Sequence, residues 1–227
     1  MSTIFITGID TDSGKSYATG MLWRYLKNHG QRAITQKLIQ TGCNTPIAED
    51  IITHRRFVNT PVESEELNAL TSPQIFKFPA SPHLAAALEK RSVDINAIDN
   101  ATKKLANLFD YILIEGVGGL NVPLQRNLLT ADWLEGHKYP TVLVSSGRLG
   151  SINHTLLTLE VAARRNIPIA GIIYNLHPAG DPQIVADSKS IFIEYLKKYN
   201  FPPALVEIPF IENPTHPPDI NFSSLIK

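Results

Sequence analysis

Apolar residues along this chain follow two rhythms. Ile4-Phe5-Ile6 is a β-branched and aromatic run of the kind that forms a strand, and apolar residues at 18, 21, 22, 25 and 26 then line one face of a helix. Gly30 stops that helix. The alternation continues, with strands predicted at 32–39, 110–115, 140–145, 167–174 and 205–208, and helices at 81–90, 94–109, 151–165 and 181–199. Ile95, Ile98, Ala101, Leu105 and Leu108 carry the helical spacing in the second of these helices; Leu156, Leu159 and Ala163 carry it in the third. Residues 44–80 are less regular and rich in Thr, Pro and Asn. Within them Glu49-Asp50-Ile51-Ile52 predicts the start of a short helix, and Thr60-Pro61-Val62-Glu63 a capping box with Pro at the first helical position. Residues 120–138 read as a loop with a short helix around 131–134, and a Pro- and Asn-rich tail follows the last strand.

Strands alternating with helices imply parallel βαβ units, right-handed crossovers and helices on both faces of the sheet. The expected class is α/β, a three-layer P-loop NTPase-like fold with a mostly parallel sheet. The 227 residues suit a single domain, 1–227, long enough to bury about 70–75% of its unfolded surface. We find no internal repeat and no low-complexity linker.

The first strand runs into Gly8-Ile9-Asp10-Thr11-Asp12-Ser13-Gly14-Lys15-Ser16 and then into the first helix. Strand, glycine loop, Lys-Ser and helix is the P-loop order, whose backbone N–H groups and helix N-terminus cradle phosphates. Lys15 then reaches the β- and γ-phosphates, and the Ser16 hydroxyl holds Mg²⁺. Five residues separate Gly8 from Gly14 where the strict motif has four. An ordinary Gly-containing β-to-α turn is the alternative.

Charge and cysteine narrow the classes. Lys plus Arg and Asp plus Glu are 21 each, with no basic stripe interleaved with aromatics, so a nucleic-acid partner has no electrostatic support. Zero net charge leaves little self-repulsion against association. Cys43 is the single cysteine, so neither a disulfide framework nor a zinc site can be built; with no His or Cys beside it, it reads as a plain thiol. A leader-like start and long apolar runs are missing, so the expectation is a soluble cytoplasmic protein with no membrane partner.

Glu115 ends an apolar strand and is followed by Gly116-Val117-Gly118-Gly119, which leave room for phosphates; it is the expected Mg²⁺ carboxylate, against a solvated strand end. Asp50 is a second metal candidate, against a helix cap. Lys37, at the end of a strand, reads either as a second phosphate lysine or as a surface lysine. Asn175 also ends a strand and has the amide to read adenine, against a turn-starting Asn. Asp110 reads as a turn or cap residue, and His83 and His154 as polar residues at helix N-termini.

These residues resemble the dethiobiotin synthetase family. The P-loop with its extra residue is similar to that family's Gly-Thr-Asp-Thr-(Glu)-Val-Gly-Lys-Thr, and Lys37 with Gln40-Thr41-Gly42 to its Lys-Pro-(Val/Ile)-x-(Ser/Thr)-Gly. Ser81-Pro82-His83-Leu84-Ala85, Glu115-Gly116-Val117-Gly118-Gly119 and Leu149-Gly150-Ser151-Ile152-Asn153-His154 resemble three further stretches, and Asn175 and Ile208-Pro209 its nucleotide-base segments. Ile9, Asp12 and Leu38 depart from the usual Thr, Glu and Pro; the segment between Gly42 and Asp50 is short, and the tail after Asn213 matches loosely.

The resemblance implies an ATP- and Mg²⁺-dependent ligase acting on diaminopelargonate (7,8-diaminononanoate). One amine takes up CO₂ (supplied as bicarbonate) as a carbamate, ATP phosphorylates it, and the second amine closes a cyclic urea, giving dethiobiotin for biotin synthesis. It implies Lys15, Lys37 and Thr11 as catalytic residues. Nucleotide is held by Asp12, Ser13, Gly14, Lys15, Ser16, Tyr17, Asp50, Glu115, Gly116, Val117, Gly118, Asn175, Leu176, Pro209, Phe210 and Ile211, with metal on Ser16, Asp50 and Glu115. Substrate contacts fall on Thr41, Ser81, Gly150, Ser151 and Asn153, the last three reaching the site of the opposite subunit in a homodimer with shared active sites. Ser151 capping its own helix is the plainer alternative. Two competing classes are a P-loop switch ATPase, which carries an extra lysine where Ile9, Asp10 and Thr11 stand here, and a nucleotide-binding module without chemistry.

Overall fold

In the computed structural model, which describes residues 2–177 and 180–226, the chain runs β1 (Ser2–Gly8), α1 (Lys15–Asn28), β2 (Ala33–Lys37), β3 (Gln40–Thr41), α2 (Glu49–Val58), α3 (Ser64–Leu67), β4 (Ile75–Phe76), α4 (Pro82–Leu88), α5 (Ile95–Ala106), β5 (Tyr111–Glu115), β6 (Pro123–Gln125), β7 (Leu128–Leu129), α6 (Thr130–His137), β8 (Thr141–Ser146), α7 (Ser151–Arg164), β9 (Ile169–Asn175), α8 (Pro182–Lys198) and β10 (Leu205–Ile208), then a 3₁₀ turn at Ser223–Leu225. Six strands form one sheet in the order β10-β9-β8-β1-β5-β2, and every neighbouring pair is parallel. Two small sheets, β3 with β4 and the antiparallel pair β6 and β7, lie outside it and were not anticipated from the sequence.

The strand order explains where a ligand can sit. From β1 the chain moves out to β2 on one side, returns to β5 beside β1, and then crosses to β8, β9 and β10 on the other side. The direction reverses at β1, and in open parallel sheets the crevice at such a switch point opens above the carboxyl ends of the strands. Gly8, Lys37, Glu115, Ser146, Asn175 and Ile208 are those carboxyl ends.

Alternation within each strand divides the core. Ile4, Ile6, Leu113, Val142, Val144 and Ile173 face α1, α2 and the C-terminal tail; Phe5, Ile112, Ile114, Leu143, Ile172 and Tyr174 face the layer that holds α4 to α8. Because both faces are covered, the strands are apolar almost throughout. The tail belongs to this core: Phe222 and Leu225 are buried against the α1 face, although their stretch was expected only to be a Pro- and Asn-rich end.

Helix starts follow local chemistry. Asp94 accepts from the Ala97 N–H at 3.0 Å and caps α5, and Asp181 accepts from Gln183 and Ile184 ahead of α8, with Pro182 in the first turn. The expected capping box at 60–63 is not formed. The helix begins at Ser64, and the Glu66 carboxylate reaches back to the Glu63 N–H at 2.8 Å. The cap lies three residues further on, at Glu63, where Arg55 also gathers the chain by donating to the Thr60 hydroxyl, to Glu63 and to Glu66.

Candidate active site

The loop after β1 is built around Gly14. Its φ of 96° is left-handed, and a β-carbon there would lie 2.2 Å from Asn175 Nδ2. Only glycine meets both demands. Gly14 also begins α1 with no side-chain cap, which leaves the first N–H groups of the helix to a ligand. Lys15 is buried, and its ammonium donates to the Asp10 carbonyl at 2.9 Å across the loop. Burial and, after it, the nearby Lys37 charge lower its pKa.

Beside the loop, β2 and β5 bring Lys37 and Glu115 into direct register. Lys37 Nζ lies 2.9 Å from Glu115 Oε1, 2.6 Å from Asp50 Oδ2 and 3.0 Å from the Gly116 carbonyl. Both residues are buried, so neither the surface lysine nor the solvated strand-end Glu is realised. Burial alone raises the Glu115 carboxyl, but the Lys37 charge and the His54 hydrogen bond more than offset it and hold it well below the usual carboxylate range. Burial alone lowers Lys37; the Glu115 and Asp50 carboxylates raise it above an ordinary lysine.

Ser16 completes the group: its hydroxyl is 3.1 Å from Asp50 Oδ1 and 3.0 Å from Glu115 Oε1. Asp50 lies in the first turn of α2 behind the N-cap Ala48, so it is not the cap. Among the described residues no three His, Cys, Asp or Glu side chains converge as a metal cage. Two carboxylates and a hydroxyl next to a phosphate loop are hard oxygens, the donor set that suits Mg²⁺ with waters and phosphate oxygens completing its shell.

A cleft of about 820 Å³ opens here, lined by Thr11, Asp12, Gly14, Lys15, Ser16, Tyr17, Lys37, Thr41, Asp50, Ser81, Glu115, Val117 and Gly118 among others. A second cavity of about 430 Å³ shares Asp12, Gly14 and Tyr17 with it and continues to Arg148, Asn175, His177, Pro209, Phe210 and Ile211. The P-loop therefore separates a chamber that holds Lys15, Lys37, Asp50 and Glu115 from one walled by the His177 and Phe210 rings, whose centroids are 4.7 Å apart.

Several expected site residues line neither space. Ser13 and Gly116 act through carbonyls that accept from Asn175 and Lys37, and the Leu176 N–H donates to the Ile208 carbonyl. Gly116 does not make room for phosphate; a β-carbon there would meet the Phe5 ring at 2.6 Å. Asn175 bonds internally, Nδ2 donating to the Ser13 carbonyl and Oδ1 accepting from the His177 N–H, which leaves one N–H and one lone pair for a base. Gly150, Ser151 and Asn153 line neither cavity of their own chain, although Arg148 just before them lines the second. Gly150 is the N-cap of α7, and the Ser151 hydroxyl pairs with Ser146 Oγ at 2.9 Å and caps nothing. Asp110 forms an exposed two-pronged pair with Arg32. Cys43 is buried with its sulfur 3.1 Å from Thr45 Oγ1.

His54 was missed. It is fully buried, and its Nε2 lies 2.6 Å from Glu115 Oε2. The signal was present: His54 is four residues after Asp50, one turn along the same face of α2.

Fold and site together define a P-loop nucleotide-binding protein of the α/β class. A ParA family ATPase from Chlorobium tepidum TLS aligns in structure over 93% of this chain and 85% of that one, with a TM-score of 0.54 at 14% identity, a likeness of fold alone. Residues 2–217 match the family described as an AAA domain. The chain is 46% identical to ATP-dependent dethiobiotin synthetase BioD 2 of Pasteurella multocida, covering 90% of this chain and 95% of that one. It is 47% identical to ATP-dependent dethiobiotin synthetase BioD of Chlorobaculum tepidum, over 86% and 82%. The chain belongs to the ATP-dependent dethiobiotin synthetase family.

Proposed function

We propose that this chain, acting as one domain over 1–227 in the cytoplasm, converts diaminopelargonate, CO₂ and ATP to dethiobiotin, ADP and phosphate. The observation that carries the reading is the convergence of Lys15, Ser16, Lys37, Asp50 and Glu115 on one cleft that Thr41 and Ser81 also line. Phosphoryl transfer asks for positioning and charge neutralisation more than for covalent catalysis, and this set offers both without a protein nucleophile.

In this reading the triphosphate lies on residues 12–17, and the base enters the second cavity beside Asn175, Leu176 and residues 209–211. Thr11 and Thr41 hold the carbamate and the amines, with Ser81 along the substrate chain. Lys15 and Lys37 neutralise charge as the carbamate oxygen attacks the terminal phosphorus and ADP leaves. The second amine then attacks the activated carbonyl, phosphate departs, and the urea ring closes. Ser16, Asp50 and Glu115 would hold Mg²⁺, which supplies charge stabilisation on the phosphates when bound. A homodimer completes the site. The start of α7 has Gly150 as its N-cap and no side-chain cap. The Ser151 N–H is taken by the Arg148 carbonyl at 3.1 Å, so the N–H groups of the turn that follows, with Asn153 and the helix dipole, are what is offered to the substrate carboxylate bound by a second copy.

The test is product identification by mass from ATP, bicarbonate and the diamine. We expect ADP release to require both co-substrates. ATP hydrolysis that proceeds equally well without the diamine and bicarbonate, or that is driven by DNA or membranes, would overturn the assignment in favour of a switch ATPase.

A further inference from the structure

We infer that His54 is a positioning residue for the metal carboxylate: by holding Glu115 Oε2, it fixes the side-chain rotor that presents Oε1 to Ser16 and to a divalent cation. This rests on the metal-ligand reading above and extends it to a residue outside that set.

The two oxygens of Glu115 have separate tasks. Oε1 faces the cleft, 3.0 Å from Ser16 Oγ and 2.9 Å from Lys37 Nζ. Oε2 points to the interior, 2.6 Å from His54 Nε2. The terminal torsion of a glutamate is broad, and Ser16 and Lys37 both act on Oε1 alone, so without a partner for Oε2 the carboxylate plane can still pivot about that oxygen. His54 removes that freedom. The accepting carboxylate assigns the hydrogen to Nε2, because an ionised carboxylate only accepts.

Helix geometry links this contact to the other acidic ligand. Asp50 and His54 are one turn apart on α2, so one rigid element carries a carboxylate to Ser16 and the donor that orients Glu115. α2 is held by Phe57, packed in the core against α1, and by Arg55, which stacks 4.9 Å over the Trp23 ring and binds Glu66. Outer partners of this kind typically contribute about 10- to 100-fold in metal affinity.

The experiment titrates Mn²⁺ by its EPR signal against the full-length protein with ADP, comparing wild type with His54→Leu, His54→Gln and Glu115→Gln. ADP binding without metal and circular dichroism are measured alongside. Leu keeps apolar volume but no donor; Gln carries an N–H at about the reach of Nε2. We expect Mn²⁺ affinity to fall about tenfold or more in His54→Leu with metal-free ADP affinity unchanged, and His54→Gln to recover most of it. Should His54→Leu fail to fold, His54→Asn, whose amide stops short of Oε2, takes its place with the same expected loss. Wild-type Mn²⁺ affinity in the variant without a reaching donor overturns the inference. So does an equal loss in the Leu and Gln variants, which would make the role one of packing. If Glu115→Gln binds Mn²⁺ as the wild type does, the metal assignment itself fails and the inference falls with it, a pattern distinct from the other two.

Discussion

At the scale of single residues, two lysines with similar burial have different surroundings and so different expected roles. Among the described residues, the Lys15 ammonium bonds to one loop carbonyl, that of Asp10. Lys15→Ala should abolish turnover and weaken ATP binding at least tenfold by calorimetry, because the phosphate loop loses its one side-chain cation. Near-normal activity would remove the P-loop from the mechanism. Lys37 is held by two carboxylates and a carbonyl, so its position is set before any nucleotide arrives. A preorganised charge acts chiefly where charge develops, and loss of one such donor typically costs about 3–4 kcal/mol of transition-state stabilisation. Lys37→Gln should therefore lower kcat by about 10²- to 10³-fold while changing ATP affinity far less. Equal losses in both would make Lys37 a ground-state clamp.

Among the elements, the C-terminal tail has more weight than its composition suggests. Phe222 is wholly buried, meets the Tyr25 ring at 5.8 Å and joins the core on the α1 face. Truncation of such a ring typically costs about 3–5 kcal/mol. Phe222→Ala should lower the urea midpoint accordingly without altering the cleft, and an unchanged midpoint would show that the tail is dispensable. The same layer carries α1, whose first turn is the proposed phosphate site, so a loosened tail is expected to show first as faster amide exchange in α1.

For the whole molecule, the buried charge cluster sets the pH window of stability. Glu115 titrates lower folded than unfolded, so its contribution is complete above the unfolded value of about 4.3 and is lost as pH falls through the lower, folded one. Lys37 titrates higher folded than unfolded, so its contribution is complete below about 10.4 and is lost only as pH rises through the higher value. Thermal midpoints should then show no loss from the Lys37–Glu115 pair between about pH 5 and 9, with acid unfolding setting in below about pH 4; a midpoint that falls steadily from pH 7 to 5 would contradict the pair as described. Association belongs to this scale too. Leu149, 91% exposed beside the α7 N-terminus, and the half-exposed Leu157 further along that helix are apolar side chains that the proposed dimer would cover. Sedimentation should give about twice the 25.1 kDa chain mass, and an active monomer would sink the shared site.

The periodicities determined the strand and helix sequence, and with it the parallel sheet, because side-chain burial repeats every 2 or 3.6 residues and is written in the chain itself. The P-loop was legible for the same reason: Gly8 to Ser16 is one contiguous segment whose chemistry depends on local backbone shape. Lys37, Glu115 and Asp50 were legible only as candidates, since each had an ordinary local reading until strand register and helix packing set them within hydrogen-bond distance. His54 escaped altogether, because its role depends on an oxygen 61 positions away along the chain. The shifted capping box has the same origin: Thr60 has the right local chemistry, but the chain turns into the helix only at Glu63, where Arg55 from α2 binds Thr60, Glu63 and Glu66 together. Local patterns decide elements; which polar groups meet in the interior is decided by tertiary packing, where a buried charge has to find a partner wherever the fold supplies one.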